Sequence, residues 1–488
     1  MFRKVKEKFL NMYRSDRVLL GEWILTIVTA VFLFVSVVFV DMRSLTVWST
    51  NVWDVTFDSN IRHLYEYTAK NVQGVRHTQM GSELFSVLPW SIWNFPIWLV
   101  QRLTGKDIAD SAIMLAYSKM FLVVVSLIML RFTKKLTYLV TGNRTQTTWA
   151  VFLSASSTFL FLGVLYAGQN DIFMLTASVI GIYYLIKGKQ KWFMVWSIIA
   201  IAIKPFFVVA FLAVLLLYEK SIIKAVLKLA LGISGVVAQK LLFYGAPMYK
   251  ESIEEGPSKD LLEQIFSGNV STAFGSVSFF AIALVLIYLY SYTRGFSKDD
   301  IRSQNNRFAR YVVYIVAVTN MAYLMFSPFT YYRLVMLVPF LYIVMVQREE
   351  VYFYNGLLET SMAVSLVFKM GLRNNTSLFR AKAVNGALIQ RFFGYSVTAN
   401  LEEGKYTSIN TYLTDQESLL MHWQPLFSGV ALVAGILLLV FNHPDKKVKA
   451  PLYGNKNCRA LLWVRIVLMI PFVLMVIWLF SKAPIKHY

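Results

Sequence analysis

Hydrophobic residues form long blocks in this chain, and polar residues gather in the gaps between them. The first block runs from Val18 to Val40, and further blocks lie at about 111–130, 148–166, 171–186, 226–244, 272–292, 311–326, 331–346, 352–370, 425–441 and 460–480. Blocks this long and this poor in charge predict helices that cross a hydrocarbon layer. The stretch Trp192–Leu217 is different, because Lys204-Pro205 interrupts it. Proline removes a backbone donor and disfavours helical geometry in the residue before it. A lysine at mid-membrane depth costs about 2.5–3.5 kcal/mol on insertion scales, so such a residue normally faces a partner, a cavity or a substrate. The pair divides the stretch into two arms of about 12 residues, roughly 18 Å of helix each, expected to fold back at an outer apex. Counting both arms gives thirteen expected spans. The block 84–101, with Pro89 and Pro96, is expected to be an interfacial or re-entrant segment on the outer side.

The basic residues orient these spans. They cluster at Arg131/Lys134/Lys135/Arg144, Lys187/Lys189/Lys191, Lys220/Lys224/Lys228, Arg294/Lys298/Arg302/Arg307/Arg310 and Lys446/Lys447/Lys449, and short basic loops stay on the cytoplasmic side. Had 192–217 been one span, the 220–228 and 294–310 loops would both fall outside and the acidic 251–263 loop inside, which favours the hairpin. Arg3, Lys4, Lys6 and Lys8 before the first block resemble a signal-peptide start, but the block is about twice the usual length. It is expected to be a retained span, with the N-terminus inside and the C-terminus outside.

Composition agrees with a membrane protein. Of 488 residues, 57% are hydrophobic and only 15% charged, with mean hydropathy +0.54, too much apolar surface for a soluble core of ordinary proportions. The net charge of +21 is explained by the loops, so nucleic acid is not an expected partner. The single cysteine, Cys458, excludes an internal disulfide, and the five histidines have no ligand spacing. The inner loops 293–310 and 442–459 are too short for a nucleotide-binding domain, and no phosphate-loop glycine pattern occurs. The larger segments 41–110, 245–271 and 371–424 are expected to lie outside.

The first outer loop carries Trp53-Asp54-Val55-Thr56-Phe57-Asp58-Ser59-Asn60, then Ile61, Leu64, Tyr65, Thr68 and Val72 at helical spacing. That spacing predicts a short helix lying in the interface. Asp58 stands where an N-cap belongs, yet Asp54 or Asp58 at a low-dielectric interface also has the character of a general base. Gly168-Gln169-Asn170-Asp171 places a second polar cluster between two apolar blocks on the same expected side as Lys204.

These features resemble the GT-C superfamily of polyprenyl-phosphate-sugar-dependent glycosyltransferases, most closely its bacterial mannosyltransferase-like branch. The resemblance rests on an aspartate in the first outer loop before a tyrosine-bearing helix, on Gly168–Asp171 opening a span, on the inner Lys187-Gly188-Lys189 turn and on Lys204-Pro205. It covers residues 18–220 and, more weakly, Ser327-Pro328-Phe329-Thr330-Tyr331-Tyr332-Arg333. It implies an all-α, GT-C-like fold: a polytopic helical membrane protein with interfacial helices in the first outer loop. The GT-C-like module spans 18–220, further spans occupy 221–370, and C-terminal spans occupy 425–488. It also implies a multi-pass protein of the plasma membrane with its site on the outer face. There the sugar of a polyprenyl-phosphate donor passes with inversion to a lipid, glycan or glycopolymer acceptor.

On this chain the base falls to Asp54 or Asp58. No second acid stands beside either as a metal-binding pair, so no cofactor is assigned and a divalent metal stays open. Lys204 and Arg333 are the candidate phosphate-binding cations, and Gln169, Asn170 and Asp171 the candidate sugar-binding or charge-balancing groups, joined by Arg62 and His63. Each has a plainer alternative. Lys204 can snorkel to the headgroups and Arg333 can anchor the interface beside Tyr331 and Tyr332. Gln169–Asp171 can cap a helix, and Arg62 and His63 can lie on a solvated face. Trp48, Trp53 and Tyr65 can stack on a sugar or simply pack. The rival functions are a transporter or flippase of a lipid-linked saccharide, and a polysaccharide polymerase or ligase.

Overall fold

The computed structural model describes residues 17–36, 40–70, 79–109, 111–254, 265–273, 275–327, 331–348, 351–372, 423–445 and 456–474. Val72, Pro328–Thr330 and the charged segment 373–422 lie outside them. In chain order the helices include α1 (Leu20–Ser36), α2 (Val40–Asp58), α3 (Leu64–Lys70), α4 (Leu84–Thr104), α5 (Ala112–Thr141), α6 (Arg144–Ala155), α7 (Asp171–Ile186), α8 (Gln190–Ile203), α9 (Phe207–Tyr218), α10 (Ile222–Gly232), α11 (Ser234–Leu242), α12 (Phe279–Thr293), α13 (Asn306–Phe326), α14 (Tyr352–Leu372), α15 (Gln424–Phe441) and α16 (Lys456–Val467). Among the described residues the strands are β1 (Asn269–Thr272) and β2 (Gly275–Ser278), an antiparallel hairpin with Asn269 opposite Ser278. The protein is therefore all-α in the sense expected.

The expected number of spans is not matched. Among the described residues three helical stretches are long and apolar enough to cross a membrane: Ile113–Thr141, Arg144–Tyr166 and Asn306–Phe326. A fourth is reached if α10 and α11, bent by 41° at Ile233, count as one. Six further apolar helices among the described residues have 10–17 residues, of the order of 15–26 Å at 1.5 Å per residue, against ~30 Å of hydrocarbon. Local chemistry shortens them. Thr272 and Gly275–Ser278 of the expected 272–292 span belong to the β-hairpin, and the Ser278 hydroxyl then accepts from Ala281 N–H to start α12 late. The 331–346 block opens as a tight 3-10 segment, Tyr331–Leu337. The expected hairpin arms are α8 and α9, whose main packing partners differ: α7 for α8, and α12 and α13 for α9.

The first loop also differs. Residues expected to lie in the outer loop, with Asp58 at an N-cap, belong to α2, a continuous helix in which Asp54 is internal and Asp58 is the last residue. Asn60 is the N-cap of the turn that follows, accepting from Arg62 N–H at 3.0 Å. The 84–101 segment is one helix, α4, packed along α2 and ended by Gly105 in left-handed conformation (φ 65°).

The residues group into two compact units. One comprises 1–39, 133–167 and 337–488, the other 40–132 and 168–336, so the 18–220 module of the sequence reading is shared between them. In the first unit buried ion pairs join helices that are distant in the sequence. Arg459 Nη1 meets Glu22 Oε1 at 2.6 Å, tying α16 to α1, and Arg465 Nε meets Glu359 Oε2 at 2.7 Å, tying α16 to α14.

In the second unit α7 is buried along nearly its whole length, packed on α8 and touching α13. At one end of this unit the Lys220 ammonium donates to Leu216 and Leu217 carbonyls (both 3.0 Å) and to Tyr292 O (2.8 Å), so one cation covers the last turns of both α9 and α12. Glu219 joins Lys228 (2.8 Å) and Lys298 (3.2 Å) nearby. Two basic segments that the sequence assigns to one side thus meet.

Candidate functional site

Asp41 is the second residue of α2. Gly168, in left-handed conformation at φ 61°, lies so close to Met42 that a Cβ there would overlap the methionine Cγ and Sδ. Only glycine suits both the dihedral and the contact. The approach brings Gln169 to Asp41, and Gln169 Nε2 donates to Asp41 Oδ2 at 2.6 Å. Burial raises the Asp41 pKa above its ordinary value, opposed by the Gln169 hydrogen bond and the Lys204 charge.

Asn170 occupies the N-cap position of α7 without capping it by its side chain. Its Nδ2 instead donates to Ser86 O at 3.4 Å. Asp171 opens α7 and is 1% exposed, and neither carboxylate oxygen has a hydrogen-bond partner among the described residues. Its electrostatic neighbours are Lys204, Arg333 and Tyr323.

Helix α8 stops because Pro205 follows Lys204. Lys204 is extended (φ −146°, ψ 113°), its own N–H still bonded to Ala200 O at 3.0 Å. The break orphans the Ile203 carbonyl, which accepts a short hydrogen bond from Ser86 Oγ. Ser86 therefore holds both the end of α8 and Asn170. The first turn of α4 that carries it is itself fixed by Gln239 Oε1, which accepts from Phe85 N–H at 2.6 Å.

The Lys204 side chain is half-buried. Burial lowers its pKa, Asp171 and Asp41 oppose that shift, and the nearby Arg333 adds to it. Among the described residues its ammonium donates no hydrogen bond. Arg333, in the 3-10 segment, donates from Nη1 to Tyr323 OH at 2.7 Å, and its Cζ lies 4.6 Å from the Phe206 ring centroid.

Gln169, Asn170, Asp171, Lys204 and Arg333 are thus brought together, and Asp54, Asp58, Arg62 and His63 are not. Asp54 and Asp58 lie at the opposite end of α2 from Asp41, about 20 and 26 Å along the axis at 1.5 Å per residue. Asp54 accepts from Trp98 Nε1 (2.8 Å) and Tyr67 OH (3.4 Å). Its pKa is raised by burial and by Asp58, against those two hydrogen bonds. Asp58 is exposed and holds Arg102 through two 2.6 Å hydrogen bonds. Arg62 Nη2 donates to Tyr244 O at 2.5 Å, and His63 Nδ1 lies 3.0 Å from Glu66 Oε2, both on an exposed face. Tyr65 is buried edge-on against Phe243 and Tyr249, and Trp53 Nε1 donates to Ser91 O.

Asp41, Ser86, Phe206 and Tyr323 were missed in the sequence. A signal existed only for Asp41, the first acid after the Val18–Val40 block. Among the described residues no three His, Cys, Asp or Glu side chains gather to hold a metal ion.

The cluster and the helices around it belong to a mostly helical protein with three or four membrane-length apolar stretches among the described residues. The chain matches no protein-family model, no curated protein sequence and no solved structure. Any functional assignment therefore rests on the residues themselves.

Proposed function

We propose that the chain is an integral membrane glycosyltransferase that moves a sugar from a polyprenyl-phosphate donor to a lipid, glycan or glycopolymer acceptor at the outer face of the plasma membrane. One observation carries the reading: two cations and two carboxylates share one cluster, with Asp171 buried and Asp41, Lys204 and Arg333 half-buried, in which the Asp171 oxygens and the Lys204 ammonium make no hydrogen bond to a described residue. Buried polar groups are normally satisfied, so donors and acceptors kept free at one place suit a polar ligand.

In this reading Asp41 takes the base role that the sequence offered to Asp54 or Asp58, because it is the one of the three within the electrostatic reach of Lys204. Its raised pKa brings the carboxylate closer to the working range of a general base. Asp41 accepts the proton of the acceptor hydroxyl, and that oxygen attacks the anomeric carbon. The bond from this carbon to the phosphate oxygen breaks on the opposite face, and its electron pair leaves on the phosphate. Lys204 and Arg333 stabilise the charge that grows there. Asp171 balances them, and Gln169 orients Asp41. With two carboxylates already present, the two cations suit a monophosphate diester better than a pyrophosphate.

The test is turnover by the purified chain in lipid vesicles, supplied with a radiolabelled polyprenyl-phosphate sugar. Free polyprenyl phosphate and a labelled acceptor are expected. Asp41→Asn is expected to lower kcat by about 10²–10⁴, with Asp54→Asn and Asp58→Asn close to wild type. Label that crosses the bilayer unchanged makes the protein a transporter instead. Full turnover by Asp41→Asn removes the base assignment.

A further inference from the structure

The Lys204-Pro205 break places a third side chain at the cluster. Phe206 follows the proline, and the Arg333 guanidinium lies over its ring at 4.6 Å. The Tyr323 ring stands 5.2 Å from Phe206, inclined at 37°, and is itself backed edge-on by Phe280 at 5.8 Å. Tyr323 OH takes Nη1. One face and one nitrogen of Arg333 are thus committed, while Nε and Nη2 donate to no described residue. Lys204 is among the charges that Arg333 shares this space with, so the two cations repel. Something other than a carboxylate contact has to hold the guanidinium in place, since no Arg333 ion pair forms among the described residues.

We infer that Phe206 is the positioning residue for Arg333: its ring face holds the guanidinium by a cation–π contact, leaving the Nε/Nη2 edge for the anion that Lys204 also binds. The inference rests on the proposed reading of the cluster as a phosphate site. An aromatic ring attracts a cation through its quadrupole, whose negative pole lies on the face. The same proline then sets two anion-binding groups at once, Lys204 before it and the Phe206 platform after it. Packing alone would need only a side chain of similar volume. A cation–π contact needs the electrons of the ring.

Fluorine separates these requirements, because it withdraws density from the ring face with little change of shape. Full-length protein carrying phenylalanine, 4-fluoro-, 3,5-difluoro- or 3,4,5-trifluorophenylalanine at position 206 is titrated with a short-chain polyprenyl monophosphate. The logarithm of Kd is expected to rise linearly with the number of fluorines, reaching about two- to thirty-fold across the series. In an Arg333→Gln background the slope is expected to vanish. Affinity that ignores fluorination in the wild-type background overturns the positioning role and leaves the phosphate site standing. If phenylalanine-containing protein binds no polyprenyl monophosphate at all, the reading of the site fails and this inference fails with it.

Discussion

Replacing Arg465 by methionine removes a guanidinium that is only 2% exposed and is bonded on every side. Nε donates to Glu359 Oε2 at 2.7 Å, Nη1 to Ser156 Oγ at 2.7 Å and Ser156 O at 3.2 Å, and Nη2 to Leu153 O at 2.5 Å. Its Cζ also lies 4.9 Å from the Tyr342 ring centroid. The substitution leaves Glu359, 1% exposed, with only the Tyr342 hydroxyl at 2.7 Å, and orphans the two carbonyls. Breaking a buried pair from one side costs about 3–5 kcal/mol, because the remaining charge is uncompensated. For a unit of this size that corresponds to roughly 6–20 °C in melting temperature.

The assay is thermal unfolding of the full chain in detergent without added ligand. Glu359→Gln in the Arg465→Met background removes the stranded charge, so it is expected to recover most of the loss even though it deletes a further native group. The sign of that double-variant effect is decisive. If Arg465→Met melts with the wild type, or if adding Glu359→Gln lowers the melting temperature again by its own single-variant effect, the pair is not the lock that joins α16 to α14.

Gly168→Ala is expected to destabilise the second unit by about 2–3 kcal/mol, from the left-handed dihedral and the overlap with Met42. A second change, Met42→Ala, is expected to relieve only the steric part, and a Gly168→Ala protein that melts like wild type would show that neither constraint exists. The raised pKa of Asp41 has a signed consequence for stability. A carboxyl whose folded pKa lies above its unfolded value contributes stability below the unfolded pKa and loses it as pH rises through the folded one. Asp41→Asn is therefore expected to match the wild type in acid and to gain on it as pH rises through the raised value, with a constant advantage above it. Melting curves across that range that run parallel at every pH would contradict the burial of this carboxylate.

The all-helical class, the end of α8 at Lys204 and the polar opening of α7 at Gly168–Asp171 were legible in the chain itself. Each depends on short-range chemistry: apolar blocks, a residue that cannot donate, a dihedral that favours glycine. The number of membrane-length helices was not legible, because hydropathy registers apolar side chains but not where a serine hydroxyl or a 3-10 turn ends the backbone ladder, as at Ser278 and Tyr331. Asp54 and Asp58 were singled out and Asp41 was missed for a related reason. The expected loop gave them freedom to reach Lys204, whereas the rigid rise of α2 carries them about 20 Å or more from Asp41.

Tertiary structure alone decided which polar groups meet. Gln169 reaches Asp41 across 128 positions, Ser86 reaches Ile203 across 117, and Arg333 finds Phe206 and Tyr323 from two other segments. Contacts at such separation are set by the packing of whole helices, which brings distant residues within hydrogen-bonding range and commits some charges while leaving Lys204 and Asp171 without a hydrogen bond.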